Sequence, residues 1–199
     1  MKKGEVTMEY EYMVSPIGSY DFANFTAKEA KEYFEWFMGE REKRVHILSE
    51  YIKKSEGKEM EFDYTPESLV PLWTWFLEKI RFEKRSEEEI KEERANSPEW
   101  MQEHISEDRP SIETLKYVLD IAVYFGEVFV RNNEGKLYWG YKTKPKRLIS
   151  VNRPTILGFK AGVDLEPIEI ILTGVYRSRR ERDKAYLYDS YYIWLEDIE

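Results

Sequence analysis

The sequence predicts an α+β fold that is mainly helical, with a small antiparallel sheet in the C-terminal half. Helix-start signals recur over residues 26–130, and a glycine turn followed by strand-forming residues comes only after residue 131. Helical patterns then return near the C-terminus, and this order of elements is typical of α+β proteins. For 199 residues we expect a single domain, 1–199, with a helical part over about 26–130 and a sheet-containing part over about 131–199.

The N-terminal elements are predicted from alternation and capping. Large side chains at every second position over residues 8–14 predict a half-buried strand. Thr26 and Glu29 form a capping-box pattern, which starts a helix. The apolar stripe that follows is interrupted by Gly39 and by the charge of Arg41. We therefore expect two helices with a break near Met38–Glu40.

Four further helix starts lie before residue 131. Their start signals are Thr65-Pro66, Ser86, Ser97-Pro98 and Ser111. The last of these begins the most hydrophobic helix, whose core face is predicted from its 3.6-residue period. The core face comprises Leu115, Val118, Leu119, Ala122 and Phe125. Its Gly126 indicates either a close backbone approach or the end of the helix.

The sheet is predicted from the turn signal at 132–135 and the strand-like run at 136–141. A second strand is expected at 147–151, and residues 155–159 either extend the sheet or run along it. Pro167 begins another helix, and a tyrosine-rich helix is expected over about 184–198.

Composition excludes several classes of protein. The chain has no cysteine, which rules out disulfides and thiolate chemistry and favours a reducing compartment. The N-terminus lacks the apolar run of a signal peptide, and no stretch approaches the roughly 18 apolar residues of a membrane span. We therefore expect a cytoplasmic protein that does not enter a membrane.

Catalytic and cofactor motifs are missing from the sequence. The two histidines, His46 and His104, have no second histidine nearby, and no glycine-rich phosphate loop or nucleophile elbow is present. The prediction is therefore a non-enzyme without metal or cofactor. One alternative stays open: a carboxylate-dependent hydrolase centred on Glu127, which could equally pair with Arg131 four residues on.

Charge is distributed unevenly along the chain. Residues 1–130 carry a net charge of −11, residues 131–182 carry +7 and residues 183–199 carry −4. Basic and aromatic residues are interleaved over 136–153, a pattern that single-stranded nucleic-acid binding uses. The overall charge of −8 repels phosphate at long range, so nucleic acid is the less favoured partner.

The acidic block Glu83–Asp108 has a net charge of −6. It is either a solvated helix face or a docking face for a basic partner protein, because complementary charge raises association rates. Trp100 and Met101 within it could supply an apolar anchor. The candidate binding residues are Glu89, Glu93, Trp100, Met101, Glu127 and Trp139.

Two segments resemble known bacterial sequences. A helix ending in Tyr124-Phe125-Gly126-Glu127-Val128 is followed by a glycine turn and the strand Lys136-Leu137-Tyr138-Trp139-Gly140. This arrangement resembles uncharacterised bacterial families, some of them similar to immunity proteins of polymorphic toxin systems. Residues 26–51 are similar to small uncharacterised proteins of Gram-positive bacteria. The resemblance implies a cytosolic protein that binds and neutralises a partner without a cofactor.

Overall fold

The structure, a computed structural model, describes residues 9–19, 21–57 and 59–198. It confirms the mainly helical α+β fold, since these residues form seven α-helices and two antiparallel sheets of two strands each. The helices are α1 (Ala27–Glu56), α2 (Leu69–Lys79), α3 (Glu87–Asn96), α4 (Glu99–Gln102), α5 (Ile112–Asn132), α6 (Pro167–Arg177) and α7 (Tyr186–Leu195). The strands are β1 (Phe82–Lys84), β2 (Asp108–Pro110), β3 (Tyr138–Gly140) and β4 (Thr155–Leu157).

Helix α1 begins and ends at the signals that the sequence contains. The Thr26 hydroxyl accepts a hydrogen bond from the Glu29 amide at 3.2 Å, and the Glu29 carboxylate accepts one from the Thr26 amide at 2.8 Å. Gly57 follows the last turn with a left-handed φ of 63°, which glycine adopts without steric cost. The expected break near Met38–Glu40 is wrong, since α1 is one helix of 30 residues. Arg41 stays inside it because its guanidinium reaches Glu127 on α5.

The strand expected over residues 8–14 is also wrong where the structure describes it, since residues 9–15 have no regular secondary structure. Met8 lies outside the described residues. Tyr10 and Met13 are buried, whereas Tyr12 is 53% exposed and Val14 is 64% exposed. Burial therefore follows a spacing of three, because Tyr10 is drawn inward to donate its hydroxyl hydrogen to Asp120 of α5.

Helix α5 is the central element and makes its most extensive contacts with α1 and α6. Ser111 caps it by accepting from the Thr114 amide at 3.3 Å, as the sequence predicts. Most of its side chains from Thr114 to Phe129 are buried, so more than one face of the helix is covered. Leu115 is an exception to the predicted core face, at 38% exposed, since the buried face at this level of the helix runs through Thr114, Tyr117 and Val118. None of the described helices is long and apolar enough to cross a membrane.

The two sheets are small and lie on either side of α5 in the sequence. Strand β3 pairs with β4, with Trp139 opposite Ile156, so the predicted antiparallel sheet of the C-terminal half is present. Its second strand was expected at 147–151, and this is wrong: those residues form turns, and only Val151 makes a bridge, to Lys142. Strand β1 pairs with β2, a sheet that the sequence analysis did not anticipate.

Candidate partner-binding surfaces

Glu127 lies on the buried side of α5, where its carboxylate is surrounded by donors. It accepts hydrogen bonds from the Trp139 indole at 2.8 Å and from Arg131 Nε at 3.0 Å, and it pairs with Arg41 of α1. The residue is 5% exposed. This carboxylate therefore ties α1, α5 and β3 together, and the acceptor capacity that a hydrolytic carboxylate would use is taken up by protein groups.

Gly126 explains why Trp139 is found beside Glu127. A Cβ atom at position 126 would lie 2.2 Å from Cζ2 of Trp139, so the indole rests directly on the α5 backbone. Trp139 is 7% exposed and packs edge-on against Phe37 at 5.0 Å between ring centroids. The candidate binding residues Glu127 and Trp139 are thus brought together, but in the interior and not on a binding surface.

A second buried ion pair lies on the same helix and was not anticipated. Asp120 is fully buried and accepts two hydrogen bonds from Arg44 of α1, at 2.8 Å from Nε and 2.6 Å from Nη2. Burial raises the pKa of the Asp120 carboxyl, and the Arg44 guanidinium opposes that effect. Arg44 also donates to the Glu11 carbonyl, so this pair holds the N-terminal segment against α1 and α5.

The basic segment 136–153 is largely engaged with the protein itself. Lys142 pairs with Asp164 at 3.0 Å, Lys146 donates to the Phe25 carbonyl at 3.0 Å, and Arg153 pairs with Glu166 and Glu169. The ring of Tyr141 packs on Phe34, which leaves Tyr138 as the exposed aromatic side chain of β3. Carboxylates therefore compensate the charges of Lys142 and Arg153, whereas Lys144 and Arg147 are exposed.

The acidic block 83–108 forms β1, α3, α4 and β2. Some of its carboxylates have a partner within the protein, and others have none among the described residues. Glu89 closes a capping box with Ser86 and pairs with Arg109 at 2.6 Å, and Glu93 pairs with Arg85. These two candidate residues therefore have partners within the block. The acids without a partner among the described residues are Glu87, Glu88, Glu92, Glu99 and Glu103.

Trp100 and Met101 are exposed within this block, at 73% and 41% respectively. Neither α3 nor α4 contains a buried residue, so the two helices lie against the rest of the protein without entering its core. Isolated apolar side chains on a surface are common. An indole at this exposure, flanked along the chain by the unpartnered Glu99 and Glu103, is nevertheless the arrangement expected of an anchor for a basic partner.

An acidic groove of about 600 Å³ lies between the C-terminal end of α1, the following segment 59–68 and the outer face of α2. Its apolar surface comes from Ile52, Met60, Val70, Pro71 and Trp75. Six carboxylates line it, and its lining residues within the described part of the chain include no lysine or arginine. The six carboxylates are Glu56, Glu59, Glu61, Asp63, Glu67 and Glu78. The groove was not predicted, although the run of acids between α1 and α2 was a visible signal in the sequence.

Among the described residues, no group of three or more histidine and carboxylate side chains is arranged to hold a metal ion. No protein-family model, curated protein or solved structure matches this chain.

Proposed function

We propose that this chain is a cytoplasmic binding protein of the immunity type, which neutralises a basic partner protein through its acidic, aromatic surface. The observation that carries the proposal is Trp100, which is 73% exposed within a segment of net charge −6. Burial of an exposed indole against a partner removes a large apolar surface from water and supplies the apolar contact that fixes an interface.

The unpartnered acids of this block favour a positively charged partner. Glu87, Glu88 and Glu92 are exposed on α3 and have no ion-pair partner among the described residues. A basic protein would gain attraction from them without breaking an existing ion pair. Such steering raises the association rate and weakens as salt is added.

Substituting Trp100 tests the proposal directly. The chain is co-expressed with the basic proteins encoded beside its gene, and complexes are isolated by size-exclusion chromatography. We expect one of them to form a stoichiometric complex and to lose toxicity in a growth assay. Trp100→Ala should weaken that complex by about 2 kcal/mol, or roughly 30-fold, as interface tryptophans do.

Tyr138→Ala is the matched control, since Tyr138 is an exposed aromatic residue on β3, outside the acidic block. It should leave the affinity unchanged within about twofold. The proposal is contradicted if no stoichiometric complex forms, or if the two substitutions weaken the complex equally.

A further inference from the structure

The acidic groove differs from an ordinary cluster of surface acids in the side chain that forms part of its wall. Trp75 is 6% exposed, and its Nε1–H has no hydrogen-bond acceptor among the described residues. That nitrogen is shielded from solvent, so Trp75 contributes apolar surface to the groove wall.

The carboxylates of the groove are only half used by the protein. Glu56 pairs with Lys79, Glu59 with Lys53 at 2.7 Å, and Asp63 accepts from the amide and hydroxyl of Thr65. The other three, Glu61, Glu67 and Glu78, are exposed and have no ion-pair partner among the described residues. Three negative charges are therefore available along this one groove.

These features together define the chemistry of an occupant. Free carboxylates require cations, and the apolar surface of Pro71 and Trp75 suits the methylene stem of a long side chain. Lys79 shows that a cation fits over this indole, because its Nζ lies 5.9 Å from the Trp75 ring centroid. An arginine- or lysine-bearing peptide supplies both the cation and the stem.

We propose that the groove binds a basic peptide segment, with its arginine or lysine side chains on Glu61, Glu67 and Glu78 and their methylene stems against Pro71 and Trp75. A volume of about 600 Å³ takes a short segment of chain and not a folded domain. A bare metal ion fits less well, because no three of the described carboxylates converge. The inference rests on the proposed function for the source of the segment, a basic partner protein.

A hexa-arginine peptide is the probe that tests the groove. It is titrated into the ¹⁵N-labelled chain, and the indole N–H signals are followed by NMR, with the Trp75 signal assigned by its loss in Trp75→Phe. We expect a saturable shift of that signal with hexa-arginine and none with a neutral glycine–serine hexapeptide. Added salt should weaken the binding.

Two triple variants with equal charge change locate the binding. Replacing Glu61, Glu67 and Glu78 by Gln should weaken hexa-arginine binding about tenfold, given the usual strength of exposed ion pairs. Replacing Glu87, Glu88 and Glu92 by Gln on α3 should change it less than about twofold. All six residues are exposed, and circular dichroism checks that both variants fold.

An unmoved Trp75 signal, or an equal loss in the two triple variants, would overturn the inference. Trp100→Ala keeps this test separate from that of the proposed function, because it should not alter hexa-arginine binding. If the groove binds the peptide but no partner complex forms, the proposed function is contradicted and the groove proposal stands. If a complex depends on Trp100 but hexa-arginine leaves the Trp75 signal unmoved, the groove proposal is contradicted and the proposed function stands.

Discussion

Helix α5 and the acidic block 83–108 both carry carboxylates, but they use them in opposite ways. On α5, Asp120 and Glu127 are buried at 0% and 5% exposure, and each is bonded to an arginine of α1. On α3, Glu88 and Glu92 are exposed and have no ion-pair partner among the described residues. The first pair is bound inside the fold, and the second faces solvent.

This difference separates acids that stabilise the fold from acids that are available to a partner. A buried carboxylate must be compensated, because burial of an unpaired charge is very costly. An exposed one contributes little to stability and loses little on meeting a cation. The acids of α3 and of the groove are therefore the ones on which binding hypotheses should be tested.

The largest expected effect comes from uncoupling the buried pair. Asp120→Asn leaves the Arg44 guanidinium in the interior without its counter-charge, since Arg44 is 2% exposed. We expect a loss of about 3–5 kcal/mol in the free energy of unfolding, measured by urea denaturation. A loss below about 1 kcal/mol would mean that Arg44 finds another partner, and that this pair does not hold α1 to α5.

A smaller loss is expected where α5 contacts β3. Gly126→Ala would place its Cβ against the Trp139 ring, and overpacking of this kind costs about 1–3 kcal/mol. Gly39→Ala on α1 is the control, because no atom lies within 4 Å of its added Cβ. That substitution should stabilise by up to about 1 kcal/mol through helix propensity alone. Equal effects of the two in thermal unfolding would argue against the close contact.

The capping acid of α1 should make stability depend on pH. Hydrogen bonds from the amide and hydroxyl of Thr26 lower the pKa of the exposed Glu29 carboxyl below its usual value. The folded state therefore binds this proton less tightly than the unfolded chain does. The contribution is complete above about pH 4.3, the ordinary glutamate value, and is lost as pH falls through the folded-state pKa.

Glu29→Gln should accordingly flatten the pH dependence of stability in that acidic range, measured by urea unfolding at several pH values. Glu89 of the second capping box has a pKa lowered in the same direction, first by the Ser86 amide. Glu89→Gln should therefore reproduce the effect. An unchanged pH profile in both variants would contradict the capping assignment.

The smallest expected effect lies in the acidic block. Replacing Glu87, Glu88 and Glu92 by Gln should leave the free energy of unfolding within about 0.5 kcal/mol of the wild type. The same variant should slow association with a basic partner, measured by stopped-flow mixing at low salt. A marked loss of stability would show that these acids act like those of α5.

Local signals were enough to predict much of this fold. Thr26, Ser111 and Pro167 each mark a helix start that the structure confirms, because capping depends on residues within one turn. Of the two alternatives expected at Gly126, a close backbone approach or the end of the helix, the structure shows the close approach. The exposure of Trp100 agrees with the hypothesis of a surface anchor, although its role in binding stays a prediction.

Features that depend on distant partners were not predicted. Arg41 was expected to break α1, since an isolated charge in an apolar stripe is unfavourable, but Glu127 lies opposite it, 86 residues away in the chain. The second strand of the C-terminal sheet was placed at 147–151, whereas β4 pairs at 155–157. The alternating burial predicted for residues 8–14 was wrong because Tyr10 is buried through its hydrogen bond to Asp120 of α5.

The amino-acid sequence by itself determined the helical character, most helix starts and the acidic charge of this protein, because these depend on near neighbours and on composition. Only the tertiary structure decided which carboxylates are used internally. Asp120 and Glu127 lie opposite arginines of α1, while Glu61, Glu67 and Glu78 gather in one groove beside Trp75. The physical reason is that the free energy of a charge depends on its burial and its partners, which are set by chain packing over long separations.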